Sequence, residues 1–432
     1  MTHYIGLDFG TTNSALAIVE GNTRDTRLAH FQSRRGSQAS FRSVLYFEPD
    51  MTNDRGIPEP MAGPQAIEMY LDEDDGEGRL IQAMKTYLVS RLFRSTSVYG
   101  TAMTLEDLIA LLVGDLKAEA EAQLGALGRE VVVGRPVHLS PNGDLDEDAF
   151  AIARLERAIA RVGFDRITFE YEPVAAAYHY ERRLDHDELV LIADFGGGTS
   201  DFTLIQVGPG AYGKGAERVL GTDGVPLAGN AFDSQLVKRL VAPALGLGSR
   251  YKTLFGKWMP IPPHLYADLQ WHRLSMLRVG AALEDLEALR KTSDAPDRLD
   301  AFIHIIECNL GYHLYQAIER TKIALSSQEE TVFRFVDGPV HLEHPVRRTQ
   351  FERWIAEELD AISTCVDRLI AQTHVSFHDV DRVFMTGGSS FIPAVRRIFS
   401  ERFGEQRLSA GDELTSVAQG LALRAADRAM VG

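Results

Sequence analysis

Apolar and polar positions along the chain form blocks that predict alternating strands and helices. Near the N-terminus an apolar run, 4–7, is followed by a small polar turn, 8–13, and by a second apolar run, 15–19. Two short apolar runs joined by a turn of small residues predict a pair of buried strands. The same construction recurs at 189–207, where Asp-Phe-Gly again follows the first apolar run.

The two copies indicate an internal duplication. Asp8 and Asp194 begin the two turns, and 194 − 8 places them 186 residues apart, close to half of the chain. Two unrelated hairpins would also contain Gly, Thr and Asp, because these residues are common in turns. The repeated order Asp-Phe-Gly at the same place relative to both strands favours duplication, which predicts two related lobes.

The remaining pattern alternates helical periodicity with short apolar runs, which predicts an α/β fold. The longest predicted helix carries one apolar stripe formed by Phe302, Ile306, Leu310, Leu314 and Ile318. Predicted helices cover residues 105–127, 150–162, 173–184, 232–241, 302–326, 393–403 and 416–430, and predicted strands cover 130–139, 166–169 and 383–386.

Charge and cysteine content narrow the classes of function. The chain has 45 Lys and Arg residues against 61 Asp and Glu residues, a net charge of −16. Such an acidic surface repels phosphate backbones, so we expect no nucleic-acid partner and no binding to anionic membranes. The two cysteines, Cys308 and Cys365, lack metal-ligand spacing and exclude a disulfide framework. Both fall in helical patterns, which predicts packed rather than reactive thiols.

Length and hydropathy give a further expectation about location. A chain of 432 residues allows two or three domains. No apolar run approaches the roughly 20 residues that cross a bilayer, and the first residues lack the pattern of a signal peptide. We therefore expect a soluble, cytoplasmic protein.

The duplicated turns carry the candidate chemistry. An aspartate at a strand end followed by glycines and hydroxyl residues suits a metal-bound polyphosphate, because the backbone amides approach the phosphates closely. Asp8 and Asp194 are of the type that holds Mg²⁺ through its waters. A third glycine turn, 387–390, opens a helix and predicts either a sugar or phosphate site or an ordinary connection.

Six segments, taken in order, resemble the seventy-kilodalton heat-shock protein (DnaK) family. They are 5–14 (IGLDFGTTNS) and 194–201 (DFGGGTSD) for the phosphates, 172–177 (EPVAAA) between the lobes, 229–233 (GNAFD) within the second lobe, and 318–327 (IERTKIALSS) and 385–393 (MTGGSSFIP) for the adenosine. The resemblance implies the actin-like ATPase fold, an α/β fold whose two duplicated lobes surround a cleft for ATP or ADP with Mg²⁺.

The resemblance also implies roles for individual residues. Asp8 and Asp194 would orient the magnesium waters. Lys85, in 81–85 (IQAMK), looks like the catalytic lysine, although an exposed helical lysine is the alternative. The implied catalytic set is Lys85, Glu172, Thr199 and Asp201. The implied nucleotide-binding set is Gly10, Thr11, Thr12, Asn13, Gly196, Gly197, Gly198, Gly229, Glu319, Lys322, Gly387, Gly388, Ser389 and Phe391.

The family's domain plan implies boundaries. Lobe I would span 1–189 and be completed by 412–432, and lobe II would span 190–411 with an inserted helical subdomain around 230–325. No segment resembles the family's peptide-binding domain, so the chain is similar to the short, YegD-like branch of chaperone-related proteins. The insert at 245–300 is a candidate surface for a protein client or a co-chaperone. Trp258 and Trp271 belong to that surface or, as the favoured alternative, to the core of the insert.

One position at the base departs from the family, because Phe391 stands where an arginine is usual. An aromatic ring there either stacks on the base or packs inward beneath Ile392. The expected function is slow, chaperone-type hydrolysis of Mg-ATP. Two alternatives stay open, a nucleotide-dependent partner-binding module with vestigial hydrolysis and a small-molecule kinase on the same fold.

Overall fold

The computed structural model describes residues 3–21, 25–34, 36–72, 78–140, 144–181, 184–211, 218–266, 269, 281–410 and 413–431. Its strands are β1 His3–Asp8, β2 Asn13–Glu20, β3 Thr26–Leu28, β4 Phe31–Ser33, β5 Gly36–Gln38, β6 Phe41–Arg42, β7 Val44–Phe47, β8 Met61–Ala62, β9 Arg79–Gln82, β10 Ser95–Val98, β11 Thr101–Thr104, β12 Glu130–Arg135, β13 Arg166–Tyr171, β14 Glu188–Phe195, β15 Ser200–Val207, β16 Val219–Val225, β17 Arg250–Lys252, β18 Trp258–Pro260, β19 Glu330–Asp337, β20 Val340–Arg347, β21 Arg382–Thr386 and β22 Leu408–Ala410.

The α-helices are α1 Gly63–Asp72, α2 Leu105–Leu124, α3 Leu145–Arg161, α4 Glu172–Glu181, α5 Gly229–Leu236, α6 Ala281–Arg290, α7 Pro296–Glu307, α8 Gly311–Ser327, α9 Arg348–Trp354, α10 Ala356–Gln372, α11 Pro393–Phe403 and α12 Glu413–Val431. Single 3₁₀ turns at Met84–Tyr87 and Gly388–Phe391 matter for the site.

Two sheets have the same strand order and the same strand directions. The first runs β3-β2-β1-β12-β13 and the second runs β16-β15-β14-β21-β22. In each sheet the first three strands are antiparallel and the last two continue parallel to the central strand. This matched topology is what the predicted duplication requires. We call the elements around the first sheet the first lobe and those around the second sheet the second lobe.

The central strand β1 is buried on both faces because helices cover both sides of the first sheet. Ile5 and Leu7 pack into a cluster with α2 and α3, whereas α12 lies against the opposite face. A Cβ atom on Gly6 would collide with the backbone of Ala418 in α12. The absence of a side chain at Gly6 therefore allows the last helix to lie directly on the first sheet. The exact lobe boundaries, 1–189 with 412–432 and 190–411, stay a prediction from the sequence.

The predicted helix 302–326 is wrong as a single helix. The structure has two helices, α7 and α8, and the helical conformation is interrupted between them at residues 308–310. Asn309 adopts a left-handed backbone conformation with φ 50°, which asparagine tolerates better than most residues. The apolar stripe is nevertheless buried, from Phe302 at 0% exposure to Leu310 at 8%. The periodicity therefore identified the buried face correctly but could not reveal the break.

The insert contributes a hairpin, β17–β18, and the helices α6 and α7. Trp258 on β18 is 45% exposed, so the favoured expectation that it packs in the core of the insert is wrong. Trp271 lies outside the described residues. Within the described ranges, no helix combines the length and apolar content that crossing a bilayer requires.

Candidate active site

Two glycine turns face each other between the sheets, one after β1 and one after β14. The Thr12 hydroxyl of the first turn lies 2.7 Å from the point where a Cβ atom on Gly197 of the second turn would stand. A Cβ on Gly10 would collide with the carbonyl oxygen of Asn13, so the first turn closes only with glycine. The two turns that resemble phosphate motifs therefore lie directly opposite each other.

Backbone hydrogen bonds hold the second turn in place. The Gly196 amide donates to the Thr199 carbonyl at 2.9 Å and closes the turn. The Gly197 carbonyl accepts from the Asn230 amide at 2.8 Å, and the Gly196 carbonyl accepts from the Gly229 amide at 3.4 Å. The start of α5 is thereby attached to the turn, and this contact positions Gly229 at the cleft.

The first turn is held from a neighbouring strand segment that the sequence did not single out. The Ser43 amide donates to the Thr12 carbonyl at 2.9 Å. The side-chain oxygen of Asn13 accepts from the Ser40 hydroxyl at 3.4 Å and from the Arg42 guanidinium at 3.5 Å. Arg42 therefore places a positive charge beside the first turn, at Asn13. Thr11 in the same turn is half-buried.

Lys85 lies inside the cleft and not on an exposed helix. It belongs to the 3₁₀ turn Met84–Tyr87, and its side chain is 12% exposed. Its ammonium group forms an ion pair with Glu172 at 2.7 Å between Nζ and Oε1. Burial alone would lower the pKa of Lys85, but the charges of Glu172 and Asp8 outweigh it and raise that pKa. Lys85 is therefore a fixed cation, and the alternative of an exposed surface lysine is wrong.

The carboxylates around Lys85 repel one another. Burial, the charge of Glu172 and the charge of Asp194 raise the pKa of Asp8 to about 7, while Lys85 opposes the shift. Burial also raises the pKa of Asp194, although a hydrogen bond from the Thr386 hydroxyl opposes it. Asp194 is reached by solvent, yet protein displaces much of the water around it. This cluster therefore has three carboxyl groups, on Asp8, Glu172 and Asp194, against the single ammonium group of Lys85.

Asp201 and Thr199 form a pair at the rim of the second turn. The Thr199 hydroxyl donates to Asp201 Oδ2 at 2.8 Å. Desolvation raises the pKa of Asp201 to about 6, with smaller contributions from the charges of Asp194 and Glu172. Asp201 is therefore ionised near neutral pH but close to its protonation point, as suits a group that accepts a proton.

The third glycine turn meets α5 and α8 at the far end of the cleft. Gly387 has φ 81°, and a Cβ there would collide with the carbonyl oxygen of Phe195. A Cβ on Gly229 would lie 3.4 Å from the Ser389 hydroxyl and 3.6 Å from Lys322 Nζ. The predicted adenosine residues Gly229, Lys322 and Ser389 therefore come together. Gly388 follows at the exposed start of the 3₁₀ turn.

Asp233 is a member of this group that the sequence analysis did not assign. Its Oδ2 accepts from Lys322 Nζ at 2.8 Å, and the side chains of the two residues are 7% and 14% exposed. Burial raises the pKa of Asp233, Lys322 opposes this, and the charge of Glu319 adds to it, which places Glu319 nearby. Within the described ranges, the buried Asp233 Oδ1 has no hydrogen-bond partner.

Phe391 ends the third turn with its ring exposed. Its side chain is 59% exposed, whereas the adjacent Ile392 is 2% exposed. The alternative in which Phe391 packs inward beneath Ile392 is therefore wrong.

Comparison with known proteins places this geometry in a family. The family described as Hsp70 protein matches residues 88–244 and 309–428. The chain belongs to the Hsp70 family. Among curated proteins, the Chaperone protein DnaK of Thermosipho melanesiensis is 24% identical over 433 residues, covering 98% of this chain and 59% of the relative. The Chaperone protein dnaK of Cyanidioschyzon merolae is 23% identical over 442 residues, covering 98% of this chain and 62% of the relative.

The fold of the Hsp70 family is the actin-like ATPase fold, so the two-lobed architecture of this chain is that fold. The chain spans about three fifths of the length of the curated relatives that it matches. Residues 245–308 fall between the two ranges that the family model matches. The hairpin β17–β18 and the helices α6 and α7 therefore lie outside the match, as do residues 1–87, which hold the first glycine turn and Lys85.

Proposed function

We propose that the protein binds Mg-ATP between its two lobes and hydrolyses it slowly, as an ATPase of chaperone type. The observation that supports this most directly is the meeting of the two glycine turns, with the ion pair of Lys85 and Glu172 beside them. Two backbone turns from different lobes suit one polyphosphate gripped from both sides. Placement in the short YegD-like branch stays a prediction.

The charges in the cleft fit a divalent cation. Asp8 and Asp194 have raised pKa values because neighbouring carboxylates and desolvation disfavour their ionised forms. A cation at this place would relieve that repulsion. Among the described residues, no three ligand side chains stand close enough to coordinate an ion directly. Asp8 and Asp194 would hold Mg²⁺ through its waters, because this ion dehydrates reluctantly. Bound Mg²⁺ supplies charge stabilisation to the phosphates.

In the proposed reaction, side chains of the cleft would accept a proton and stabilise negative charge. Asp201 Oδ2, oriented by the Thr199 hydroxyl, would accept a proton from the attacking water, and Glu172 would help to orient that water. Lys85 would place its fixed charge at the phosphates, where negative charge develops. Thr11, Thr12, Asn13 and the glycine turns would position the phosphate chain.

The adenosine would lie at the third glycine turn. Lys322 and Glu319 on α8 and Ser389 of the turn line this end of the cleft, and the exposed ring of Phe391 offers a stacking surface. Asp233 Oδ1 is buried and has no hydrogen-bond partner among the described residues, so a ribose hydroxyl placed against it would give it one. A buried acceptor without a partner is costly, so a bound hydroxyl there would be favourable.

Single-turnover reactions with γ-labelled ATP test this proposal. We expect release of inorganic phosphate that requires both the protein and Mg²⁺. Transfer of the label to an added small-molecule acceptor, with little free phosphate, would identify a kinase instead. Tight ATP binding with no cleavage over hours would identify the partner-binding module with vestigial hydrolysis.

A second candidate function, nucleotide-dependent binding of a protein client or co-chaperone, is favoured by the β17–β18 hairpin. Leu254 and Phe255 at its tip are 103% and 97% exposed. Lys252 and Lys257 flank them in a chain whose net charge is −16. Exposed large apolar side chains of this kind mark contact surfaces. Replacing Leu254 and Phe255 by serine should reduce capture of a partner from a lysate without changing ATP hydrolysis, and unchanged capture would remove the hairpin as the contact.

A further inference from the structure

A cysteine, a histidine and an aspartate form a connected cluster outside the nucleotide cleft. His304 Nε2 lies 2.8 Å from Asp337 Oδ1, and Cys308 Sγ lies 3.6 Å from His304 Nδ1. A carboxylate only accepts hydrogen bonds, so these partners assign the proton of the neutral ring to Nε2. Nδ1 is then the acceptor that faces the thiol.

The fold builds this cluster from two segments distant in sequence. His304 and Cys308 stand four residues apart near the end of α7 and therefore lie on one face. The break after Glu307 leaves Cys308 exposed at the helix end. Asp337 comes from the end of β19. Gly338 follows it with φ 49°, and a Cβ there would lie 2.8 Å from the imidazole, so the ring has room only beside a glycine.

The second cysteine provides a contrast within the same chain. Cys365 is buried, and burial together with the charge of Asp223 raises the pKa of its thiol to about 12. A buried thiol with such a pKa is inert, because the thiolate is the reactive species. The prediction of a packed cysteine is therefore confirmed for Cys365 and wrong for Cys308.

We propose that Cys308 is a modification site, a thiol that reacts with hydroperoxides and other soft electrophiles, with His304 as its base and Asp337 as a positioning residue. The Sγ proton passes to His304 Nδ1, and Asp337 stabilises the imidazolium. The thiolate attacks one peroxide oxygen, the S–O bond forms, the O–O bond breaks, and the leaving oxygen takes the proton from the imidazolium. The sulfur is oxidised by two electrons to a sulfenic acid, and the peroxide is reduced to water or an alcohol.

Cys308 also lies next to a contact between the two lobes. The Tyr70 hydroxyl of α1 donates to Asn309 Oδ1 at 2.8 Å, and the rings of Tyr70 and Tyr312 have centroids 6.4 Å apart. An adduct as large as glutathione on Cys308 would crowd this contact and weaken it. Faster release of nucleotide would follow, a consequence that rests on the proposed function. Both His304 and Cys308 fall in the segment that the family model does not match.

The first experiment measures the modification itself. The reduced protein is treated with hydrogen peroxide, the sulfenic acid is trapped with dimedone, and peptides are analysed by mass spectrometry. We expect labelling at Cys308 and none at Cys365. The His304→Ala variant should label more slowly by roughly 10²-fold or more, the scale of losing a base. Free imidazole should restore the rate, and Asp337→Asn should lower it by a smaller factor.

The matched control is His341→Ala, an exposed histidine on β20, which should label at the wild-type rate. Labelling of His304→Ala at the wild-type rate, or a loss that imidazole does not restore, would overturn the role of His304 as a base. Labelling at Cys365 in preference to Cys308 would overturn the site.

The second experiment measures release of a fluorescent ATP analogue before and after formation of the mixed disulfide with glutathione. Release should become faster in the wild type and stay unchanged in Cys308→Ser. Bound analogue whose release is unaffected by the adduct would overturn the regulatory consequence. If no analogue binds to the unmodified protein, the proposed function fails, while the labelling experiment still decides the modification site.

Discussion

The two glycine turns stand on the same strand scaffold but carry different chemistry. In the first lobe Asp8 pairs with Ala15 across the hairpin, whereas in the second lobe Asp194 pairs with Asp201. The parallel neighbour of the second hairpin adds Thr386 opposite Asp194. The first turn therefore has one carboxylate and the second has two, with the Thr386 hydroxyl donating to Asp194. Under the proposed function, the duplicated turns would both bind the phosphates, and Asp201, which only the second turn has, would supply the proton chemistry.

The cation follows the opposite distribution. Lys85 comes from the first lobe, from a turn next to β9 that has no counterpart in the repeated strand pattern. It reaches Glu172 at the start of α4. Because the cation Lys85 and the proposed proton acceptor Asp201 come from different lobes, hydrolysis should require both lobes to close on one phosphate chain. Substitutions that remove Lys85 or Asp201 singly separate the contributions of the two lobes.

The largest effect should follow from removing the cation of the first lobe. Lys85→Ala should lower the single-turnover rate of ATP hydrolysis by about 10²-fold or more, the scale of losing one electrostatic stabiliser, while ATP binding stays largely intact. Lys117 on α2 is a matched control, because it is ion-paired with Glu121 at 2.8 Å and its side chain is similarly buried, at 18% exposure. Lys117→Ala should hydrolyse ATP normally. A wild-type rate in Lys85→Ala would remove Lys85 from catalysis.

Asp201 in the second hairpin stands at the position that Ala15 occupies in the first, so Asp201→Ala makes the two hairpins alike and removes the proposed proton acceptor. Asp201→Ala should lower hydrolysis by roughly 10²-fold, and Thr199→Ala by less, since general bases contribute on this scale. The pKa of Asp201 is about 6, so the wild-type rate should fall as the pH drops below that value and the carboxylate becomes protonated. This fall should be absent in Asp201→Ala. A pH profile identical in both proteins would contradict the assignment.

The base end of the cleft should show a smaller effect that does not distinguish nucleotides. Phe391→Ala should weaken both ATP and GTP binding by about ten- to a hundredfold, because stacking is worth roughly 1–3 kcal/mol and every base has a π-face. Preference for adenine should then come from Glu319 and Lys322. Calorimetric titration of both nucleotides checks this. Unchanged affinity for both would show that the ring does not stack on the base.

The smallest effect concerns stability without nucleotide. The folded protein holds a proton on Asp8 up to about pH 7, whereas the ordinary pKa of this carboxyl is 3.8. The free energy of unfolding should therefore fall as the pH rises from 3.8 to about 7. Asp8→Asn should raise the melting temperature at pH 8 by roughly a few degrees. The variant should also lose the magnesium dependence of ATP binding.

Asp115 on α2 is the matched control for this prediction. Burial and the charge of Glu59 raise its pKa to about 6. Asp115→Asn should also stabilise the protein, but its ATP binding should keep the magnesium dependence. A lower melting temperature in Asp8→Asn would contradict the inferred repulsion in the cleft.

Candidate site residues could be predicted from the sequence where they stand at the ends of strands. Asp8, Asp194 and Asp201 follow or precede apolar runs, so their positions at one end of the sheets could be predicted from the pattern. The break at Asn309 could not, because the apolar stripe continues through it on the buried face. Thr386 was within a recognised segment, yet its hydrogen bond to Asp194 depends on the register of two parallel strands. Asp337 and His304 meet only because the β19–β20 hairpin folds back on α7.

If both lobes bind one Mg-polyphosphate, the folded protein should be stabilised by Mg-ATP, and thermal unfolding with and without Mg-ATP measures this. A ligand that binds only the folded cleft at a hundred times its Kd should stabilise the protein by roughly 2.7 kcal/mol. We predict a clear upward shift of the melting temperature that requires Mg²⁺ and is abolished by EDTA. No shift at millimolar nucleotide would show that the cleft does not bind Mg-ATP.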